Sequence, residues 1–265
     1  MSDFQDVFKR KEVKYLLSYE QYKDLRNFLK GYAEVDGYGE TDILNIYYDT
    51  EKFDVIQTSL DKPLYKEKLR LRSYGTASED SKSFIEIKKK FDGIVYKRRI
   101  SVPYKTAVDY LNGEKEALLD RSQIRREIDS FLEMYPGIAP KMAICYKRIA
   151  MAGVEDPKLR ITFDKDITWR TKDLSLKKGN YGREILEKGQ HLMEVKIGNA
   201  FPIELSKMFS ELGIFPISFS KYGRGYLEMI GIEREEEMVK EYEKEKSFIY
   251  SERRERLKRG GACYA

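Results

Sequence analysis

Between Tyr65 and Ile100 the chain alternates charged and apolar residues three times over, in Lys68-Leu69-Arg70-Leu71-Arg72, Phe84-Ile85-Glu86-Ile87-Lys88 and Tyr96-Lys97-Arg98-Arg99-Ile100. Successive side chains of a β-strand point to opposite faces, so a period of two predicts three strands, each apolar on one face and charged on the other. Asp92-Gly93 is a hairpin turn signal, and hairpins make antiparallel neighbours, which sets the charged faces side by side. Like charges about 7 Å apart on one strand repel by about 2 kcal/mol at an effective dielectric near 20. Taken singly, each strand reads as a solvated face. Three neighbours together point to a shared polyanionic ligand that relieves the repulsion.

The same period recurs elsewhere. Phe8 to Leu17, Thr41 to Tyr48, Lys141 to Met151, Lys158 to Trp169 and His191 to Gly198 read as strands, for eight in total. Ser18, followed by Glu20 and Gln21, caps a helix whose apolar stripe is Tyr22, Leu25, Phe28 and Leu29. Residues 51 to 60 read as a short helix ending at Asp61-Lys62-Pro63, residues 105 to 134 as helical, and Ile203 to Leu212 as a helix stopped by Gly213. Arg125-Arg126-Glu127 is expected on a solvated helix face, and 177 to 188 as an exposed connection. Ser218 to Tyr226 is a polar loop or helix start.

Composition adds constraints. The chain has 265 residues, 41% hydrophobic and 36% charged, with 50 Lys plus Arg against 45 Asp plus Glu. A net +5 is mild; the clustering of the cations carries the information. Cys145 and Cys263 have neither metal-like nor disulfide-like spacing, so a reducing cytosol is expected. No signal peptide and no run of about 18 apolar residues is visible. His191 is the single histidine, which excludes multi-histidine metal sites. The absence of a basic helix and of stacking aromatics on an exposed face argues against nucleic acid.

Eight strands with one charged face close most economically with the apolar face outward, under helices, and the charged face inward. That inverts an ordinary small barrel. A charged lumen must hold water, ions or a ligand. Lys14, Arg70, Arg72, Lys88, Lys97, Arg99, Arg148, Arg160 and Lys196 are placed to reach it, with Glu12, Glu86, Asp164 and Glu194 among them. Arg98, Lys89 and Lys147 alternate outward. Tyr15, Tyr96 and Tyr146 are assigned to strand packing, Trp169 and Cys145 to the core, and His191 to a strand edge.

The ordered motifs Glu12-Val-Lys14-Tyr15, Lys68-Leu-Arg70-Leu-Arg72, Phe84-Ile-Glu86-Ile-Lys88, Tyr96-Lys97-Arg98-Arg99, Tyr146-Lys-Arg148-Ile-Ala150, Leu159-Arg160-Ile-Thr-Phe-Asp164, Leu192-Met-Glu194-Val-Lys196 and Phe219-Ser220-Lys221-Tyr222 carry a resemblance. Over about residues 8 to 226 the chain resembles the triphosphate tunnel metalloenzymes, and among them the polyphosphate polymerase domain of the vacuolar transporter chaperone (VTC) complex and its bacterial relatives.

The resemblance implies an α+β fold, an eight-stranded antiparallel β-barrel with helices packed outside. The tunnel domain would span 1–232 and a charged helical tail 233–265. It implies an ATP-polyphosphate phosphotransferase that moves the γ-phosphoryl group of ATP onto a growing polyphosphate chain. Lys14, Arg70, Arg72, Lys88, Lys97 and Arg148 would act on the transferred group; Arg99, Arg160, Lys196, Ser220 and Lys221 would bind phosphate; Glu194 would hold Mn2+ or Mg2+. Arg10 stands where the hydrolase branch of the superfamily has a glutamate, and Ser218 where the family has a lysine. The alternatives are a metal-dependent triphosphatase and a non-catalytic polyphosphate or inositol-phosphate binder. ATP and polyphosphate are the expected partners, nucleic acid is not, and a membrane-protein partner is compatible with a chain that has no span of its own. The expected location is cytoplasmic.

Overall fold

The computed structural model describes residues 11–92, 94–198 and 200–234. The elements are β1 (Lys11–Leu17), α1 (Tyr19–Phe28), β2 (Ala33–Asp49), α2 (Asp54–Leu60), β3 (Tyr65–Tyr74), β4 (Lys82–Phe91), β5 (Ile94–Pro103), α3 (Tyr104–Leu111), α4 (Gln123–Met134), β6 (Ala139–Gly153), β7 (Arg160–Arg170), β8 (Arg183–Glu184), β9 (His191–Ile197), α5 (Ile203–Glu211) and β10 (Pro216–Ile217). Residues 221–234 form a further helix, α6. The eight expected strands are all present, and the two-residue β8 and β10 add to them. The chain divides into two compact units, residues 1–225 and 226–265. Beyond residue 234 the expected tail lies outside the described residues.

One antiparallel sheet runs in the order β10-β1-β9-β7-β6-β2-β3-β4-β5, with β8 beside β7. Its two ends meet through side chains. Lys88 of β4 comes within 3.9 Å of Glu12 of β1, and Lys68 of β3 donates to Ser220, just past β10, at 3.2 Å. The sheet therefore curls into a tunnel with one face inside.

Both apolar clusters lie on the outer face. Leu44 and Ile46, Leu69 and Leu71, Ile85 and Ile87, and Ile100 pack under α3 and α4 through Ala107, Tyr110, Ile128 and Phe131. Tyr15 and Leu17, Ile161 and Phe163, and Met193 and Val195 pack under α1 and α5 through Leu25, Leu29, Leu205 and Phe209. Burying one such side chain contributes about 1.5–3 kcal/mol, so the period of two fixes which face turns inward. A register slip of one residue would push the lysines and arginines under the helices.

Local signals act as expected in α1, where Ser18 and Gln21 form a reciprocal capping box, and in the β4–β5 turn, where Asp92 takes a left-handed φ of 43°. Elsewhere the structure departs from the sequence reading. Strand β2 begins at Ala33 rather than Thr41 and reaches seventeen residues, with an irregularity between Val35 and Glu40. The helical stretch 105–134 is broken after Leu111 by Asn112 and by Gly113 at φ 106°, and resumes at Gln123 behind the Ser122 cap. Arg125 does not sit on a solvated face. Its guanidinium donates to the carbonyls of Leu118, Asp120 and Lys115 and to Asp129, tying the intervening loop to α4. Lys89 and Arg98 point outward as expected, but both reach Glu127 of α4, at 3.2 and 3.3 Å. His191 is buried on the outer face, stacked on Tyr22 with ring centroids 3.8 Å apart.

Candidate active site

Cross-strand register brings the inner-face charges together. Arg70 faces Glu86 on the β3–β4 ladder, and Glu86 faces Arg99 on β4–β5, while Lys68, Lys88 and Lys97 form the next row. Glu86 is 1% exposed and holds four cations. Its Oε2 accepts from Arg70 Nε at 2.8 Å and lies 2.6 Å from a terminal Arg70 nitrogen; Lys97 is 3.0 Å from Oε1, Arg72 3.7 Å and Arg99 4.0 Å away. Burial alone would raise the Glu86 carboxyl, but Arg70, Arg72 and Lys97 outweigh it and hold the group well below the usual carboxylate range.

Asp164 of β7 is a second hub. Arg148, its register partner on β6, grips it in bidentate fashion at 2.6 and 2.8 Å, and Lys221 at the start of α6 reaches the same carboxylate at 2.5 Å. Against its burial, Arg148 and then Lys221 keep Asp164 ionised below its ordinary range. Both hubs aim guanidiniums and ammoniums that would otherwise splay apart.

The cations themselves are under electrostatic stress. Burial, with Lys66, Lys88 and Lys14 nearby, pulls the Lys68 ammonium down to about 8 despite Tyr47. Burial, with Arg70 and Arg72, pulls Lys97 down to about 8 against the opposing effect of Glu86. Lys88 is lowered in the same way, by burial and then Lys14, with Glu12 opposing. Tyr47, Lys68, Arg70, Glu86, Lys88 and Lys97 line one small pocket.

The segment leading into α6 and its first residues are part of this wall. Lys14 donates to the Phe219 carbonyl at 3.0 Å, Tyr222 donates to Asp49 at 2.7 Å and stacks on Tyr47 at 4.4 Å, and Ser220 accepts from Lys68. A methyl group on Gly225 would come within 2.9 Å of Met142 Sδ and 3.3 Å of Ile144, so the first residues of α6 pack directly against β6. Only a glycine permits this approach.

Every expected site residue can be located. Lys14, Arg70, Arg72, Lys88, Lys97, Arg148, Lys196, Ser220, Lys221 and Glu194 lie on the inner face or on the α6 segment that enters it, and Arg99 lies on the same face nearer the rim. Arg160 stands apart, 45% exposed and paired with Asp36 at 3.8 Å. Four inner residues lay outside the expected set. Lys68 shares the face of Arg70 and Arg72, a signal already present in the alternation. Asn45 accepts from Arg72 Nε at 2.8 Å, Tyr47 accepts from Arg70 at 3.0 Å, and Tyr146 accepts from Arg72 at 3.1 Å. Tyr146 is thus a lumen residue rather than strand packing. Its place two residues before Arg148 already puts it on the inner face, since the ladder irregularity opposite Cys145–Lys147 adds its extra residue on β7.

Glu194 of β9 lies 2.7 Å from Lys196, and Glu12 of β1 lies 3.9 Å from the same ammonium, so both carboxylates reach one cation position. Burial raises the Glu194 carboxyl, but Lys196, Lys14 and Arg148 drive it well below its ordinary range. Among the described residues no three of His, Cys, Asp and Glu gather into a metal cluster. Two carboxylates are hard oxygen ligands and fit a hard divalent ion that takes its remaining ligands from phosphate and water.

Sequence comparison agrees with this geometry. Residues 9–230 match the VTC domain. The chain belongs to the VTC domain family. No curated protein matches the sequence significantly. Among solved structures, a Hippeastrum candidate adenylyl cyclase described as having a dominant triphosphatase activity superposes with a TM-score of 0.51 at 16% identity, over 81% of this chain and 94% of its own. A candidate adenylate cyclase from Bacillus halodurans gives 0.49 at 13% identity, over 80% of this chain and 95% of its own. What the Hippeastrum protein shares with this VTC domain is the fold. Among the described residues no helix is long and apolar enough to cross a membrane.

Proposed function

We propose that this VTC domain transfers the γ-phosphoryl group of ATP to the end of an inorganic polyphosphate chain. The observation that carries the reading is the convergence of Lys14, Lys68, Arg70, Arg72, Lys88, Lys97, Arg148 and Lys221 on one lumen whose few carboxylates are already paired. An excess of buried cation is destabilising, and a linear polyanion relieves it along its whole length.

Lys14, Arg70, Arg72, Lys88, Lys97 and Arg148 surround the transferred group, where fixed positive charge stabilises the electron-rich transition state without reorganising. Glu86 and Asp164 position these cations. Arg99, Lys196, Ser220 and Lys221 hold phosphates further along the chain, and Arg160, exposed and paired with Asp36, is left out of this set. Glu194, with Glu12 beside it, would bind Mn2+ or Mg2+. When bound, such an ion neutralises phosphate charge and orients the oxygens for in-line displacement.

Hydrolysis of triphosphate is the competing reading, and triphosphatase is the activity named for the Hippeastrum protein. Water attack benefits from a base that can accept its proton. Three of the four inner carboxylates, Glu86, Asp164 and Glu194, are held low by their cations and are poor bases. A terminal polyphosphate oxygen is already anionic and needs none, which favours transfer over hydrolysis. Incubation of the purified protein with ATP and Mn2+ is expected to yield a polymer that an exopolyphosphatase digests. Absence of polymer under every metal and primer condition would overturn the proposal.

A further inference from the structure

The inner face is not uniform along its length. At the start of β3 and the end of β4 it carries Lys66 and Lys90, which are register partners. At the other end of the same strands it carries Tyr74, Phe84, Lys82 and Arg99. Tyr74 continues the alternation of Lys68, Arg70 and Arg72, and Phe84 continues that of Glu86 and Lys88, so both rings belong to the lumen side and not to the apolar clusters under the helices.

The geometry of this rim is specific. Tyr74 meets Phe84 edge-on, with centroids 5.6 Å apart and planes at 87°. The Arg99 guanidinium lies over the Phe84 ring at 4.5 Å, and the Lys82 ammonium is 5.8 Å from the same centroid. Phe84 is 8% exposed and Tyr74 is 50% exposed. Phe84 is therefore the buried footing on which the Arg99 guanidinium lies and against which Tyr74 packs, and half of the Tyr74 side chain is left open to solvent. A phosphate chain has no surface that such a ring can bury. Stacking of a flat heteroaromatic ring on it removes apolar area from water and adds the cation–π attraction of Arg99.

Four residues of strand separate Tyr74 from Arg70, about 13 Å at the usual rise per residue. An extended nucleoside triphosphate covers such a span from its terminal phosphate to its base. The geometry points to the Tyr74–Phe84–Arg99 rim as the docking platform for the nucleobase of the phosphoryl donor, with the triphosphate laid inward past Arg72 to Arg70 and Glu86. This inference rests on the tunnel being a phosphate site and adds to it the end at which the donor enters. An open stacking face reads the plane of a base rather than its edge, so it separates nucleotides from inorganic triphosphate and tolerates exchange of one base for another.

The test is calorimetric binding of ATP and of inorganic tripolyphosphate to the intact protein, to Tyr74→Ala and to Tyr74→Phe, with a thermal melt of each. Loss of one stacked base weakens binding about tenfold or more. Tyr74→Ala is expected to weaken ATP by that factor, to leave tripolyphosphate within about twofold, and to keep the melting temperature of a half-exposed substitution, while Tyr74→Phe retains ATP affinity. ATP binding that survives Tyr74→Ala, or an equal loss of both ligands, overturns the platform and leaves the phosphate tunnel standing. Failure of the unaltered protein to bind either ligand overturns the tunnel reading, and the platform with it.

Discussion

Glu86 and Arg70 are register partners across the β3–β4 ladder, and one carboxylate oxygen takes two nitrogens of the guanidinium, at 2.8 and 2.6 Å. The pair is buried on the inner face of the sheet, where a lone charge of either sign would be costly. Glu86 therefore acts on the ligand through its partners. It makes an inward-facing arginine and its neighbours affordable in the folded state, and it aims them.

Removing Glu86 should uncover that role. Glu86→Ala leaves Arg70, Arg72, Lys97 and Arg99 without their shared counter-ion, and loss of one partner from a buried charge network costs about 3–5 kcal/mol. Chemical denaturation should show a loss of this order. Added tripolyphosphate should restore more stability to Glu86→Ala than to the unaltered protein, because the ligand supplies the missing negative charge.

Acid should act on the same network. The carboxyl groups of Glu86 and Asp164 are lowered in the folded protein from their ordinary values of 4.5 and 3.8. A lowered folded value means that the contribution is complete above the unfolded value and is lost as pH falls through the folded one. The contribution of these two carboxylates should therefore hold steady from neutral pH down to about 5 and fall progressively below it. Glu86→Gln should flatten that fall in a pH series of denaturation midpoints; an unchanged slope would assign it to other groups.

Much of this arrangement was legible in the sequence. The period of two in β3, β4 and β5 gave the inward cations because a slip of one residue would bury them under α3 and α4, so pattern and face are the same statement. The period fails where the backbone does. The break at Asn112-Gly113 folded the 115–120 loop onto Arg125, whose carbonyl partners no helical spacing reveals. Tyr146 was misassigned although its spacing from Arg148 placed it on the inner face. Lys68 was missed among the candidate residues although its spacing placed it on the Arg70 face. The entry of α6 into the lumen depends on close approach at Gly225, which is visible only once the sheet has curled.

Protons should accompany the ligand. Burial lowers the Lys68 and Lys97 ammoniums to about 8, and a polyanion beside them raises both again. Near pH 8.5, binding of tripolyphosphate should take up protons, seen as a dependence of the calorimetric heat on the ionisation enthalpy of the buffer. As pH rises through 8 the ammoniums are lost and affinity should fall. Lys68→Met should reduce the proton uptake, and equal heats in all buffers would contradict the stress described for this row.

Lys88 and Glu194 should separate charge stabilisation from metal binding. Lys88→Ala removes a cation from the proposed transfer centre, and loss of one such group costs about a hundredfold in rate. Glu194→Gln should shift the Mn2+ concentration needed for half-maximal rate upward, with metal-free tripolyphosphate binding retained. Titration of rate against Mn2+ for both variants distinguishes the two, since Lys88→Ala should leave the metal midpoint in place.

The most direct test of the central claim is phosphorus nuclear magnetic resonance of ATP and Mg2+ incubated with the purified protein and a short polyphosphate primer, recorded over time. The account predicts growth of the bridging-phosphate signal of a polymer as the γ-phosphate signal declines, with orthophosphate a minor product. Stoichiometric growth of orthophosphate without bridging phosphate would contradict it and assign the tunnel to hydrolysis.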